Sequence, residues 1–531
     1  MFFRIQFISK FKKTVYVIIF LLLNISHSQE KIKLNQAPNI LFIFSDDHAV
    51  NAISSYDGFF AEIAPTPNID LIAKEGALLE NVFCTNAICG PSRASVLTGK
   101  YSHVNGYYKN YKGGVFNNQQ WTFPKALQNA GYTTALVGKW HLASEPTGFD
   151  YYKYHISKGQ QGYYWNPVYN DNGSNINESG YATDLTTDFA IEWLEKRDND
   201  KPFCLMLQYK APHREWSPNT KYENLFDGIT MPYPLTFDDS YKGRELTAGD
   251  TEMTMDYFSR EDMKMIPPDN LSTNQKKRWL QYGFRKGQIV SPSENLDYNQ
   301  SRKWKYQKYI KDYLATVKSI DDNIGRVLTY LKQNGLENNT VVIYSSDQGF
   351  FLGEHGFFDK RFMYEESIRM PFLIRYPNAI KPGTVVNDII SNIDFAPTLL
   401  DVAGVVVPND IQGKSFLPNL FNKTPKDWKE SMYYHYYEYP YYHHVQPHYG
   451  IRNKRYKLIH FYYDIDVWEF YDLKKDPNEI NNLINVESYQ KKIKKLKKEL
   501  YTLKSQFGNN MSADELRDIT KTDFGGLESK K

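Results

Sequence analysis

The chain has 531 residues, long for one compact domain and short for four, so two structural units are expected. Its 64 Lys and Arg nearly cancel 61 Asp and Glu, and the formal net charge of +3 argues against a nucleic-acid partner held by a global field. Any selectivity for anions must therefore be local.

Residues 1–28 read as a secretory signal: Arg4, Lys10, Lys12 and Lys13 precede an apolar core at 15–25, and Ser26-His27-Ser28 offers small residues for cleavage before Gln29. The apolar run is short for a membrane span, and no later segment is apolar enough to cross a bilayer. The chain is expected to be exported to the periplasm or beyond and free of the membrane after cleavage, the alternative being an uncleaved anchor. Export favours paired cysteines, yet the mature chain holds only Cys84, Cys89 and Cys204. Cys204 sits in an apolar run and reads as a core residue, and Cys84 also reads as structural.

Asn39–Ser45 is a continuous apolar run ending on Asp46-Asp47, as expected of a strand buried on both faces. The pattern returns at 201–209, ending near His213, and at Thr340–Ser346, ending on Asp347-Gln348-Gly349. Between them, Ile310, Leu314, Val317, Ile320, Ile324, Val327 and Leu331 predict an amphipathic helix over about 309–333. This alternation predicts an α/β fold, a large mostly parallel sheet flanked by helices, whose ligands bind beyond the carboxyl ends of the strands.

The stretch 221–303 is polar, aromatic and proline-punctuated, and reads as a partly irregular insertion near the site. A catalytic domain over 29–425 is expected to be followed by a smaller α+β subdomain over 426–531 containing an antiparallel sheet. Its lysine-rich run at 491–504 keeps Ile493, Leu496, Leu500 and Leu503 on one face, so the charges read as the solvated side of a terminal helix.

The sharpest local signal is Cys89-Gly90-Pro91-Ser92-Arg93, a cysteine in a turn before a short helical run. A histidine-paired cysteine hydrolase is conceivable with 12 His, but Cys-x-Pro-Ser-Arg is a maturation signal. Together with Gly131-Tyr132 through Gly138-Lys139-Trp140-His141 and the acids at the strand ends, it resembles the formylglycine-dependent sulfatases of the alkaline-phosphatase-like superfamily, over about residues 38–483. Secreted bacterial polysaccharide sulfatases are the nearest likeness.

The resemblance implies that Cys89 is oxidised to formylglycine by a maturation enzyme. The hydrated aldehyde then attacks sulfur with one hydroxyl and expels sulfate with the second. It implies a divalent cation on Asp46, Asp47, Asp347, Gln348 and the modified Cys89, an oxygen-rich set that suits calcium better than zinc. Gln348 departs from the family's usual Asn or His but still offers an amide oxygen. Arg93 is expected to orient the nucleophile, Lys139 and Lys360 to grip sulfate oxygens, His141 to bond the formylglycine hydroxyl, and His213 to protonate the leaving alcohol.

Aromatics make up 16% of the chain, with 42 Tyr, and a Tyr- and His-rich cluster spans 433–448. It reads equally as a sheet face or as a sugar-contacting rim, and His448, with His103 and Arg452, is the candidate substrate contact. A sulfated carbohydrate is the expected substrate, whether an algal galactan, ulvan or fucan or a host glycosaminoglycan, with a weak leaning to an algal polymer such as ulvan. A phosphoester or phosphonate hydrolase of the same superfamily and a non-catalytic glycan-binding protein are the competing readings.

Overall fold

The computed structural model describes residues 37–111, 114–285 and 296–524. The expected signal at 1–28 and residues 286–295 of the expected insertion lie outside the described residues.

The central sheet has ten strands. In spatial order they are Thr384–Val386, Ala77–Leu79, Phe372–Arg375, Thr340–Ser346, Asn39–Ser45, Phe203–Gln208, Thr133–Gly138, Tyr151–His155, Val168–Asp171 and Ser174–Asn177. The run from Thr340–Ser346 to Tyr151–His155 is parallel throughout, and antiparallel pairs appear towards both edges. The three apolar runs of the sequence are strands buried along their whole length, because helices cover both faces.

On one face, Leu41, Ile43, Leu205, Leu207, Val342 and Tyr344 pack against helices Pro67–Lys74, Ala182–Lys196 and Tyr298–Gln333. On the other, Phe42 and Phe372 meet Phe395 of helix Phe395–Val402, which packs with helices Cys89–Thr98 and Phe123–Asn129. Burying each large apolar side chain contributes about 1.5–3 kcal/mol relative to exposure.

The long helix starts at Tyr298, eleven residues earlier than its apolar repeat predicts. Its first turns are rich in Lys and Tyr and carry no apolar stripe. They are held by an Asp297–Gln300 capping box and by the buried Tyr306 instead. Within 221–303 the described chain is irregular apart from helix Thr273–Arg285, short 3-10 turns and the first residues of the long helix from Tyr298. Met255, Phe258 and Met263 anchor it in a core shared with Trp216 and Tyr309.

The C-terminal sheet is an antiparallel meander of Ser431–Tyr436, His448–Asn453, Tyr456–Phe461 and Val467–Asp472. Ile493, Leu496 and Leu500 of helix Gln490–Gln506 cover its outer face through Tyr433, Tyr449 and Leu458. The inner face meets the catalytic body, where the Tyr434 hydroxyl donates to the Arg361 carbonyl (2.5 Å) and His448 packs near Phe362. Cys84 and Cys204 are buried free thiols.

Candidate active site

Register sets the site. Ser45 lies opposite Ser346, and Phe44 and Gly138 both lie opposite Gln208, so four adjacent strands end level. The residues that follow, Asp46-Asp47, Asp347-Gln348, Lys139 and Lys210, are thereby delivered to one edge. Gly138 makes the turn possible. Its φ is +112°, and a Cβ there would stand 1.8 Å from the Gln208 carbonyl oxygen, to which the Lys139 amide donates at 2.8 Å.

The helix Cys89–Thr98 begins at the cysteine itself, after an extended Ile88, and ends at Gly99 in the left-handed conformation. Every residue of it is buried. Gly90 passes so close to Tyr107 that a Cβ would come within 2.5 Å of the ring. The first turn, with its free amides, is brought to the acidic strand ends. One atom each of Cys89, Asp46 and His213 lie within 4.8 Å of one another, as do carboxylate oxygens of Asp46, Asp47 and Asp347.

Three converging buried carboxylates require compensation. Lys139 Nζ pairs with Asp46, Lys360 Nζ lies 2.7 Å from Asp47 Oδ1, and Arg93 Nε donates to Asp347 Oδ2 at 3.0 Å. Burial nonetheless pushes the Asp47 carboxyl up to about 7, with Asp347 and Asp359 adding and Lys360 opposing. Asp47 is also held at φ +64°, a backbone cost of the kind concentrated at functional sites.

These residues fit a hard divalent cation. Gln348 donates its amide Nε2 to Asp47 Oδ1 at 2.5 Å, which leaves Oε1 as a buried acceptor without a hydrogen bond, and Asp46 Oδ1 likewise accepts none, its nearest cation being Arg93 Nη2 at 3.9 Å. Carboxylate and amide oxygens are the donors such an ion takes.

Cys89 is only 2% exposed, and burial pushes its thiol up to about 12, Lys360 opposing and Asp47 adding. Unmodified, it is a protonated thiol and a poor nucleophile at neutral pH. His213 donates Nδ1–H to the Arg214 carbonyl (2.7 Å) and presents Nε2 3.7 Å from Asp47 Oδ2. Burial, then Lys139 and Lys360, holds it well below the usual histidine range. His141, at φ +57° with an unpartnered Nδ1, is held low by burial and by Lys139 and Arg93. The structure thus brings Cys89, Arg93, Lys139, His141, His213, Lys360 and the other four expected metal ligands into one place.

It does not do so for the expected substrate contacts. His103 Nε2 bonds the Phe507 carbonyl (2.8 Å), and its ring stacks on Tyr101, away from the strand ends. His448 is 0% exposed, its Nδ1 on the Gln446 carbonyl (2.7 Å) and its ring among Tyr434, Tyr436 and Phe461. Arg452 is buried over Phe83 in a bidentate pair with Glu365 (3.0 and 3.2 Å). Tyr433, Tyr434 and Tyr436 are sheet core; of the cluster, Tyr442 in the following loop is exposed and lies under the Arg361 guanidinium.

Sequence reasoning missed the residues that hold the catalytic ones. Gln208 Oε1 accepts from Arg93 Nη1 (2.5 Å), and Gln161 Oε1 from Lys139 Nζ (3.1 Å). Asn392 donates to the Ser92 hydroxyl (2.8 Å), which itself donates to the Asp347 carbonyl. Asp359 and Arg361 flank Lys360 at φ +74° and +105°, and Asp359 Oδ2 stands 3.3 Å from His443 Nε2. The charged run Asp359-Lys360-Arg361 is the one signal the sequence offers. The amides carry none.

The chain is similar over most of its length to known proteins. An N-acetylglucosamine-6-O-sulfatase of Bacteroides thetaiotaomicron is 48% identical over 512 residues, covering 93% of this chain and 91% of its own. A solved structure in complex with its substrate, D-glucosamine-2-N,6-O-disulfate, is 46% identical with a TM-score of 0.86, covering 90% of this chain and all of its own. An ulvan-active sulfatase of Formosa agariphila is 27% identical over 489 residues, covering 88% of this chain and 82% of its own. The family descriptions Sulfatase and N-sulphoglucosamine sulphohydrolase, C-terminal, match residues 38–405 and 353–506. The chain therefore belongs to the sulfatase family and is a sulfuric ester hydrolase.

Proposed function

We propose that this sulfatase removes the 6-O-sulfate of N-acetylglucosamine or N-sulfoglucosamine units in a glycosaminoglycan-type sugar, using formylglycine made from Cys89 and a bound calcium ion. The observation that carries the substrate is the 48% identity, across nearly the whole chain, to an N-acetylglucosamine-6-O-sulfatase. Ulvan is not supported, since the ulvan-active relative is far more distant at 27%.

Formylglycine supplies, as its hydrate, one hydroxyl to attack sulfur and another to release sulfate. Asp46, Asp47, Asp347 and Gln348 would hold a cation, which would supply positive charge favouring the ionised hydroxyl. Arg93, tied to Asp347, Gln208 and the Lys139 carbonyl, keeps the nucleophile helix and the acids in fixed relation. Lys139 and Lys360 bind sulfuryl oxygens, their charges set in a dry site where preorganised donors count most. His213, its Nδ1 fixed on a carbonyl, holds and moves a proton at Nε2 as the sugar oxygen leaves. His141 bonds the nucleophile.

Burial of Cys89 supports maturation before folding, by a formylglycine-generating enzyme acting on the extended chain. Export through residues 1–28 belongs to the same reading, and the amino-terminal sequence of the mature protein tests it by starting at Gln29.

Purified enzyme incubated with N-acetylglucosamine-6-sulfate should release free sulfate, and ulvan oligosaccharides should yield far less. Faster phosphate release from a matched ester would favour a phosphoester or phosphonate hydrolase instead. Chelation should abolish activity, with calcium restoring it; undiminished turnover after exhaustive chelation would contradict the cation.

A further inference from the structure

We infer that Lys210, with Lys158, forms a subsite for a second anionic group on the substrate, beside the sulfuryl site. The inference rests on the proposed reaction on a sulfated glucosamine.

A cleft of about 370 Å³ opens onto His213, lined by Lys158, Gln161, Lys210, Arg214 and Glu215 on that side. Lys210 is 6% exposed. Its Nζ donates to the Arg214 carbonyl at 3.2 Å and lies 4.8 Å from the Tyr164 ring centroid. Among the described residues no carboxylate oxygen lies within 4.0 Å of it, whereas Lys139, Lys360, Lys264 and Lys457, equally buried, each have one. A buried ammonium has three donors and is costly to leave without a counter-ion. Burial draws its pKa down to about 8, with the Glu215 carboxylate opposing, so the group still carries charge at neutral pH.

Two of the cleft's three acids are already engaged. Asp262 holds Arg214 through both oxygens (2.5 and 3.1 Å) and also accepts from Ser259, and Glu215 pairs with Lys158. Glu261 is exposed at the rim. Lys158 reaches the cleft from a left-handed backbone position, φ +50°, with 37% of its side chain exposed. It can leave Glu215 for a stronger anion at little cost, since a partly exposed pair in solvent is weakly held.

Position selects the ligand. Lys210 Nζ and His213 Nδ1 share the Arg214 carbonyl, so the unpaired charge stands beside His213, on the wall of the cleft that both residues line. An anion there belongs to the sugar: an N-sulfate on the same ring, or the carboxylate of an adjoining uronate.

The test is kinetic. Wild type, Lys210→Gln, Lys210→Arg and Lys158→Gln are compared on N-acetylglucosamine-6-sulfate, on glucosamine-2-N,6-O-disulfate and on a uronate-linked 6-sulfated disaccharide. In Lys210→Gln the kcat/KM ratio of one doubly charged substrate to the singly charged one should fall roughly ten-fold, mainly through KM, as expected for a lost charged hydrogen bond. Lys210→Arg should restore part of it. The substrate whose ratio falls identifies the anion as N-sulfate or carboxylate. Should the buried substitution prevent folding, Lys158→Gln and the wild-type salt dependence decide, since added salt should raise KM more for the doubly charged substrate. Unchanged ratios would overturn the subsite and leave the proposed reaction standing. Failure of wild type to release sulfate from any of the three would overturn both.

Discussion

At the scale of single residues, the chemistry depends on charges held in a dry place. Lys139 is fully buried against Asp46 and steadied by Gln161, so its ammonium cannot drift into solvent. Lys139→Ala should lower turnover by about 10²-fold or more, the scale of losing one preorganised transition-state contact; a wild-type rate would mean that the sulfate binds elsewhere. Gln208 touches no reacting atom in this arrangement, but its amide oxygen fixes Arg93. Gln208→Ala should lower kcat with KM little changed, and Gln208→Glu, which keeps an acceptor, should recover part of the loss. The acids and the cysteine could be read from the sequence because they stand at the ends of apolar runs or inside a dense motif. Gln208 and Asn392 could not: one amide closes an apolar strand, the other lies 300 residues from the serine it holds, and neither position has a periodicity to betray it.

At the scale of elements, the site is a consequence of strand register. In strands buried on both faces a one-residue slip would exchange the side chains fitted to the helices on one face with those fitted to the other and break both packings, so the level ends are strongly specified. Gly138→Ala attacks this directly, since the added Cβ meets a backbone oxygen at a φ that side chains avoid. A loss of about 1–3 kcal/mol in stability and a larger fractional loss of activity are expected, read by thermal unfolding and by sulfate release; a neutral substitution would mean that the turn can relax. The buried-strand pattern and the long helix could be anticipated from periodicity, and the early start of that helix could not, because a cap and buried tyrosines replace the apolar stripe. His448 was misjudged for a related reason. A tyrosine-rich run suggests a half-exposed sheet, but this sheet is covered on one face by helix Gln490–Gln506 and on the other by the catalytic body.

At the scale of the whole molecule, the C-terminal sheet packs against the catalytic body, and buried histidines in both sheets tie stability to pH. Burial holds His448 down at about 3, the Gln446 carbonyl opposing, and burial holds His155 down at about 3, Lys210 and Lys139 adding. Each folded-state pKa is below the unfolded value of 6.5, so the unfolded chain binds these protons first. Their contribution is complete above pH 6.5 and is lost as pH falls towards 3. The unfolding midpoint should therefore hold steady just above neutrality and decline across that window, and His448→Phe should flatten the decline; a midpoint independent of pH would contradict the burial. The most direct test of the central claim is the mass of the peptide containing residue 89, taken from a preparation of known specific activity. Formylglycine at that position, in proportion to activity, is predicted. Full sulfate release from protein whose residue 89 is unmodified cysteine would contradict it.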